Sequence, residues 1–106
     1  MKQPSSVVFI DESLEERFES LPDSVLRRAL IRTIRALEQN AFSGTQIPKR
    51  LIPKSYALKY GINNLWKHDL PKGWRLLHTV ASDEEGVICA IIDWFDHTRY
   101  ERVMGY

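Results

Sequence analysis

The spacing of apolar residues changes along the chain, and each change marks an element. Ser6-Val7-Val8-Phe9-Ile10 is a short run of strand-forming residues. The acidic residues that follow, Asp11, Glu12, Glu15 and Glu16, suit the first turn of a helix, where negative charge complements the helix dipole. Ser13-Leu14-Glu15-Glu16 offers a capping-box spacing, and Asp11 is an equally good cap. Leu14, Phe18 and Leu21 recur at helical spacing until Leu21-Pro22-Asp23 interrupts them. Proline is tolerated in a first turn, so a second helix is predicted to start there. Leu26, Leu30, Ile34, Leu37 and Ala41 then repeat every three or four positions, with Arg27, Arg28, Arg32, Arg35 and Glu38 mostly elsewhere. This pattern predicts an amphipathic helix of roughly 18 to 20 residues.

Ser43-Gly44-Thr45 ends that helix, and Gln46 to Asn64 has no clean period. Pro48 and Pro53 break the segment, while Tyr56, Leu58, Tyr60 and Ile62 alternate weakly, as in a strand or an ordered loop. Three strands are predicted next, at Leu65 to Leu70, Gly73 to Ala81 and Val87 to Trp94, with the polar turn Ser82-Asp83-Glu84-Glu85-Gly86 between the last two. Short connections make them antiparallel. The tail from His97 to Met104 reads as a short helix or turn. Together these elements define an α+β plan: a short N-terminal strand, a two-helix hairpin, then a three-stranded antiparallel meander in one sheet with the helices on one face. Its second face would be left for function. At 106 residues the chain is expected to form a single domain over residues 1–106.

Composition narrows the function classes. No apolar run is long enough to cross a bilayer, and the start, Met1-Lys2-Gln3-Pro4-Ser5-Ser6, lacks the apolar stretch of a signal peptide. A soluble, cytoplasmic protein without a membrane partner is expected. The lone Cys89 lies in the apolar run Val87 to Ile92 and reads as a small buried residue. His68, His78 and His97 are far apart and no metal-ligand spacing occurs, so no metal and no cofactor are expected. Nucleophile-elbow, phosphate-loop and dinucleotide motifs are absent as well. Asp93 and Asp96 hint weakly at a carboxylate site, but such a pair more often caps the following turn.

Charge is unevenly distributed. Between Ser43 and His78 the cations Lys49, Arg50, Lys54, Lys59, Lys67, Lys72 and Arg75 face a single carboxylate, Asp69, whereas Asp11 to Asp23 is acidic. Interleaved basic and aromatic residues in the linker resemble phosphate-tracking surfaces. Within Gly73 to His78, side chains alternate faces, so Trp74, Leu76 and His78 share one and Arg75, Leu77 and Thr79 the other. A cation in mid-strand can present fixed positive charge to a phosphate. Phosphodiester cleavage by a ribose hydroxyl needs a proton acceptor, cations for the charge that builds on the phosphorane, and help for the leaving oxygen. Arginine's planar fork suits the second task, and with the hydroxyl as nucleophile no metal is required.

Gly73-Trp74-Arg75-Leu76-Leu77-His78 resembles the aromatic-Arg-aliphatic strand of the RelE/ParE toxin superfamily. Leu65-Trp66-Lys67 resembles the strand after that family's basic linker, and His97-Thr98-Arg99-Tyr100 its basic stretch ending in tyrosine. The order of elements agrees over nearly the whole chain. In the RelE branch the resemblance implies the toxin of a type II toxin–antitoxin system, a metal-independent endoribonuclease that cleaves mRNA on the ribosome and is held by a cognate antitoxin peptide. Carried over by position, it implies that Arg75 and Lys67 contact the scissile phosphate, with Tyr100 and His97 or Arg99 near the proton transfers. Lys49, Arg50, Lys54, Lys72 and Arg99 are the candidates to hold RNA. Asp69 stands where the family has a second lysine; it would repel phosphate unless it acts as a base or pairs with Lys72. A ParE-like topoisomerase-binding poison, or a degenerate member that only binds a partner, are the other functions the resemblance admits.

Turn length decides which residue joins Arg75. A two-residue Pro71-Lys72 turn would set His68 opposite Arg75, whereas a three-residue loop brings Lys67 or Asp69 to its face. Proline at the first central position disfavours the primed two-residue turns, which favours the longer loop and Lys67.

Overall fold

A computed structural model describes residues 2–105. Strand β1 (Ser6–Phe9) is followed by α1 (Glu12–Glu19), capped by Asp11, whose Oδ1 accepts the Leu14 N–H at 2.8 Å. Ser24, two residues after Pro22, caps α2 (Val25–Gln39) by accepting the Arg27 N–H at 3.1 Å. The remaining elements are β2 (Thr45–Gln46), α3 (Lys54–Tyr60), β3 (Trp66–Asp69), β4 (Arg75–Asp83), β5 (Gly86–Phe95) and α4 (His97–Met104). All five strands form one sheet in the order β1-β5-β4-β3-β2, with β1 parallel to β5 and every other pair antiparallel.

The α+β class and the order of elements are those expected from the sequence, but β1 joins the meander in parallel, α2 has 15 residues where roughly 18 to 20 were expected, α4 packs on the second face, and the linker is structured. It contributes a two-residue edge strand, β2, and a helix, α3, in place of the strand or loop read from Tyr56 to Ile62. That alternation was misleading because Leu58 is 87% exposed. The informative spacing is Tyr56 to Tyr60, one helical turn apart, which sets both rings against the sheet. The second sheet face is consequently roofed. Its core comprises Ile47, Leu65, Leu77, Ile92, Phe95, Tyr100 and Met104, covered by Ile52, Tyr56, Tyr60, Ile62 and Val103. On the first face α1 and α2 bury Leu14, Ala29 and Leu30 against Leu76, Ile91 and Trp94.

A β-bulge resets which residues of β5 face each core. Arg75, Leu76 and Leu77 pair with Phe95, Trp94 and Asp93, but His78 pairs with Ile91, so Ile92 is the extra residue. Ile91 therefore shares the first core with Trp94, and Ile92 the second core with Phe95, although each pair is three residues apart. Without the extra residue, strict alternation would put Ile91 on the face of Phe95 and Ile92 on that of Trp94.

His78 belongs to the packing. It is fully buried, stacks on Trp66 at 6.2 Å, and has Nε2 3.0 Å from the Ala41 carbonyl oxygen, so that nitrogen carries the proton and donates. Burial is the main cause that lowers its pKa to about 4; the Ala41 carbonyl opposes this and the neighbouring His68 ring adds to it. His68 is also lowered, again chiefly by burial. Cys89, buried as expected, points its thiol at the same Ala41 carbonyl at 3.6 Å, and burial raises its pKa.

The unfolded chain takes up the His78 proton near pH 6.5, whereas the folded chain resists until about pH 4. Stability is therefore full above the unfolded value and falls as the pH drops through that window, by up to about 3 kcal/mol from this residue. Urea melts at pH 7.5 and 4.5 should show this loss, and it should be smaller in a His78→Gln variant, whose amide can still donate to Ala41.

Candidate active site

The connection between β3 and β4 brings the candidate residues together. The Leu70 N–H donates to the Trp74 carbonyl at 2.8 Å, closing Pro71-Lys72-Gly73 as a three-residue loop. Lys72 (φ 60°) and Gly73 (φ 79°) are both left-handed, which gives the reversal its hand. Asp69 then lies directly opposite Arg75, Lys67 opposite Leu77 and His68 opposite Leu76. Arg75, Lys67 and Asp69 thus share one face. The two-residue alternative, with His68 beside Arg75, is excluded; His68 lies on the other face, its ring 5.3 Å from that of His78.

Asp69 joins the two cations. Its Oδ1 is 2.9 Å from Arg75 Nε and 3.1 Å from Lys67 Nζ. Its partners are therefore Arg75 and Lys67, not Lys72 as one reading of the sequence allowed. The Arg75 guanidinium also donates through Nη1 to the Trp74 carbonyl at 3.1 Å and lies over the Tyr100 ring at 5.7 Å. Exposure separates the roles, because the side chains of Arg75 and Lys67 are 20% and 25% exposed and that of Asp69 is 64%. The anion stands outermost, over cations anchored in the surface. Two positive charges against one negative leave a net attraction for a phosphate: each contact at 4 Å is worth roughly 1 kcal/mol in water and about 4 near a protein surface. The single repulsion from Asp69 is outweighed two to one.

Helix α4 supplies the other wall. Asp96 caps it, accepting the Arg99 N–H at 2.9 Å, while Asp93 accepts from Arg17 at 2.6 Å. These two aspartates have separate structural duties and form no joint site. His97 opens α4 against the β3–β4 loop, where a Cβ built on Gly73 would lie 3.3 Å from the His97 Cβ. Its Nε2 is 3.0 Å from Glu101 Oε1, one turn on, a partner overlooked in the sequence although the i, i+4 spacing was there to find. Tyr100 is only 5% exposed and packs on Phe95, so its ring is a floor beneath Arg75.

The other candidate cations are spread around this group. Lys49 and Arg50 lie in a short 3₁₀ turn, Lys54 opens α3, Lys72 tops the hairpin loop and Arg99 is in the first turn of α4. All five are exposed, and among the described residues none of their side chains has an ion pair. No group of three or more His, Cys, Asp or Glu that could hold a metal occurs among the described residues. Nor is any helix there long and apolar enough to cross a membrane.

This architecture, with its two-helix hairpin on a mixed sheet and a basic β3–β4 hairpin, is the RelE-like toxin fold. Among solved structures the chain is similar to the E. coli toxin RelE, in the free state and with two arginines changed to alanine. The TM-score is 0.50 and identity 16%, over 99% of this chain and 97% of that one. No protein-family model matches the sequence, and no curated protein does.

Gly44 holds β3 in place. At φ 98° it approaches so closely that a Cβ would lie 2.6 Å from the Lys67 carbonyl oxygen and 2.7 Å from His68 Nε2. Gly44→Ala should cost at least about 2 kcal/mol, through left-handed strain and a backbone clash that cannot relax cheaply. A urea denaturation midpoint unchanged from wild type would refute this account of the site's support.

Proposed function

We propose that this chain is the toxin of a type II toxin–antitoxin pair and acts as an endoribonuclease on ribosome-bound mRNA. The observation that carries the reading is the Arg75–Lys67 pair on one sheet face, with Arg75 set over Tyr100 and His97 walling the loop between their strands. The RelE-like fold supports it independently.

Arg75 and Lys67 hold the two non-bridging oxygens of the scissile phosphate and stabilise the phosphorane. Tyr100 is a positioning residue that fixes the guanidinium plane. His97, kept in place by Glu101, protonates the departing 5′ oxygen. The exposed Lys49, Arg50, Lys54, Lys72 and Arg99 hold flanking backbone phosphates, and a cognate antitoxin peptide with acidic side chains would cover the same cations. No cofactor enters the reaction, because the substrate's own hydroxyl is the nucleophile.

One observation favours a second reading. Asp69 already occupies both principal cations, as would suit a member that binds without cutting. Incubating the purified chain with mRNA-programmed ribosomes and mapping the ends separates the two. We expect cleavage, and a rate loss of about 100- to 1,000-fold in Arg75→Ala, equivalent to some 2.7 to 4 kcal/mol. Cleavage at the wild-type rate in that variant would remove Arg75 from the site, and ribosome binding with no cleavage by the wild type would establish the binding-only reading.

A further inference from the structure

Resting on the proposed cleavage of RNA, the geometry points to Asp69 as the general base that takes the proton from the attacking ribose 2′-hydroxyl. A proton acceptor must reach solvent-borne RNA and lie within hydrogen-bond range of the phosphate-holding cations. Asp93, paired with Arg17, and Asp96, the cap of α4, make no ion pair with either cation. His68 and His78 are on the opposite sheet face, and Tyr100 is buried under Arg75. Glu101 pairs with His97, the proton donor, and with neither cation. Asp69 meets both requirements, being well exposed and 2.9 Å from Arg75 Nε and 3.1 Å from Lys67 Nζ.

Its place between the cations gives the base a gate. In the free protein one carboxylate oxygen accepts a hydrogen bond from Lys67 and pairs ionically with Arg75 Nε, occupying the place a phosphate oxygen would take. An arriving phosphodiester competes for the same donors. As it takes them over, Asp69 loses its partners and its lone pairs turn to the nearest donor, the 2′-hydroxyl beside that phosphate. The carboxylate is thus occupied until substrate arrives and is freed by it.

The step balances without a co-reactant. The 2′-hydroxyl proton passes to an Asp69 oxygen as the 2′ oxygen bonds to phosphorus. The bond from phosphorus to the 5′ oxygen breaks, and that oxygen takes a proton from the His97 imidazolium. The products are a 2′,3′-cyclic phosphate and a 5′-hydroxyl. Solvent then removes the proton from Asp69 and returns one to His97.

The test is an Asp69→Asn variant, isosteric but unable to accept the proton. Two quantities are needed: the single-turnover cleavage rate on programmed ribosomes across pH, and the affinity for ribosomes whose decoding-site codon is fully 2′-deoxy and cannot be cut. We expect the two to move in opposite directions. Affinity should hold or rise several-fold, because a competing negative charge is gone. The saturated cleavage rate should fall by about 100-fold or more and lose its acid limb, with part of it restored in Asp69→Glu. Equal or faster cleavage by Asp69→Asn would show Asp69 to be an inhibitory counter-ion only, and loss of both affinity and rate would reduce it to an organiser of the cations; either overturns the proposal. Absence of cleavage by the wild type, with intact ribosome binding, would instead overturn the parent reading.

Discussion

The pairing of Asp69 with Arg75 across the β3–β4 hairpin is the contact on which the rest of the site depends. It follows from one backbone hydrogen bond, Leu70 to Trp74, which closes the loop at three residues and fixes the register. A shift of one position would send Lys67 and Asp69 to the face covered by α1 and α2 and bring His68 to Arg75. Because Leu70 and Trp74 form the hydrogen-bonded pair, Asp69 and Arg75 occupy the adjacent non-bonded position, where side chains on opposing strands come closest. The short ion pair is thus a consequence of the loop, and the left-handed Lys72 and Gly73 are its local cause.

Packing holds that arrangement from below. Arg75 and Leu77 lie two apart on β4, so the cation stands beside a residue of the second core, whose members Phe95 and Tyr100 support its guanidinium from the sheet and from α4. The bulge at Ile92 makes this possible. It lets β5 set Trp94 and Ile91 against the α1–α2 layer while Phe95 and Ile92 pack under α4 and the linker. Roofing the second face leaves the site at the end of the sheet where β4 starts, β5 ends and α4 begins. Pre-organised cations of this kind need little rearrangement to meet a developing charge.

Regular segments were legible in the sequence because their periods reflect burial on one side. The two-helix hairpin and the meander strands followed from spacings that tertiary contacts reinforce, such as Leu30 and Leu37 on α2. The linker was not legible, because two signals competed there. Alternating Tyr56, Leu58, Tyr60 and Ile62 imitated a strand, yet only the outward-facing Leu58 separates that pattern from the helical one, and exposure is not written in a single chain. At the site, Arg75 was conspicuous because a mid-strand cation breaks the pattern. Glu101 was not, since an i, i+4 carboxylate on a polar helix has many ordinary uses.

Asp69 is the residue whose meaning the fold alters. As a letter in a basic stretch it reads as a flaw, one negative charge where a phosphate should bind. In three dimensions it is the most exposed of the three charges, and it reaches both others through a single oxygen. A carboxylate placed to spoil phosphate binding would be costly to displace if buried, because its cations would be left without compensation. Exposed as it is, it gives way at modest cost. The same position keeps two long side chains ordered before substrate arrives, so less conformational entropy remains to be lost on binding. Fixing the cations and yielding them on contact are compatible because the pair is anchored on its cationic side and open to solvent on its anionic side.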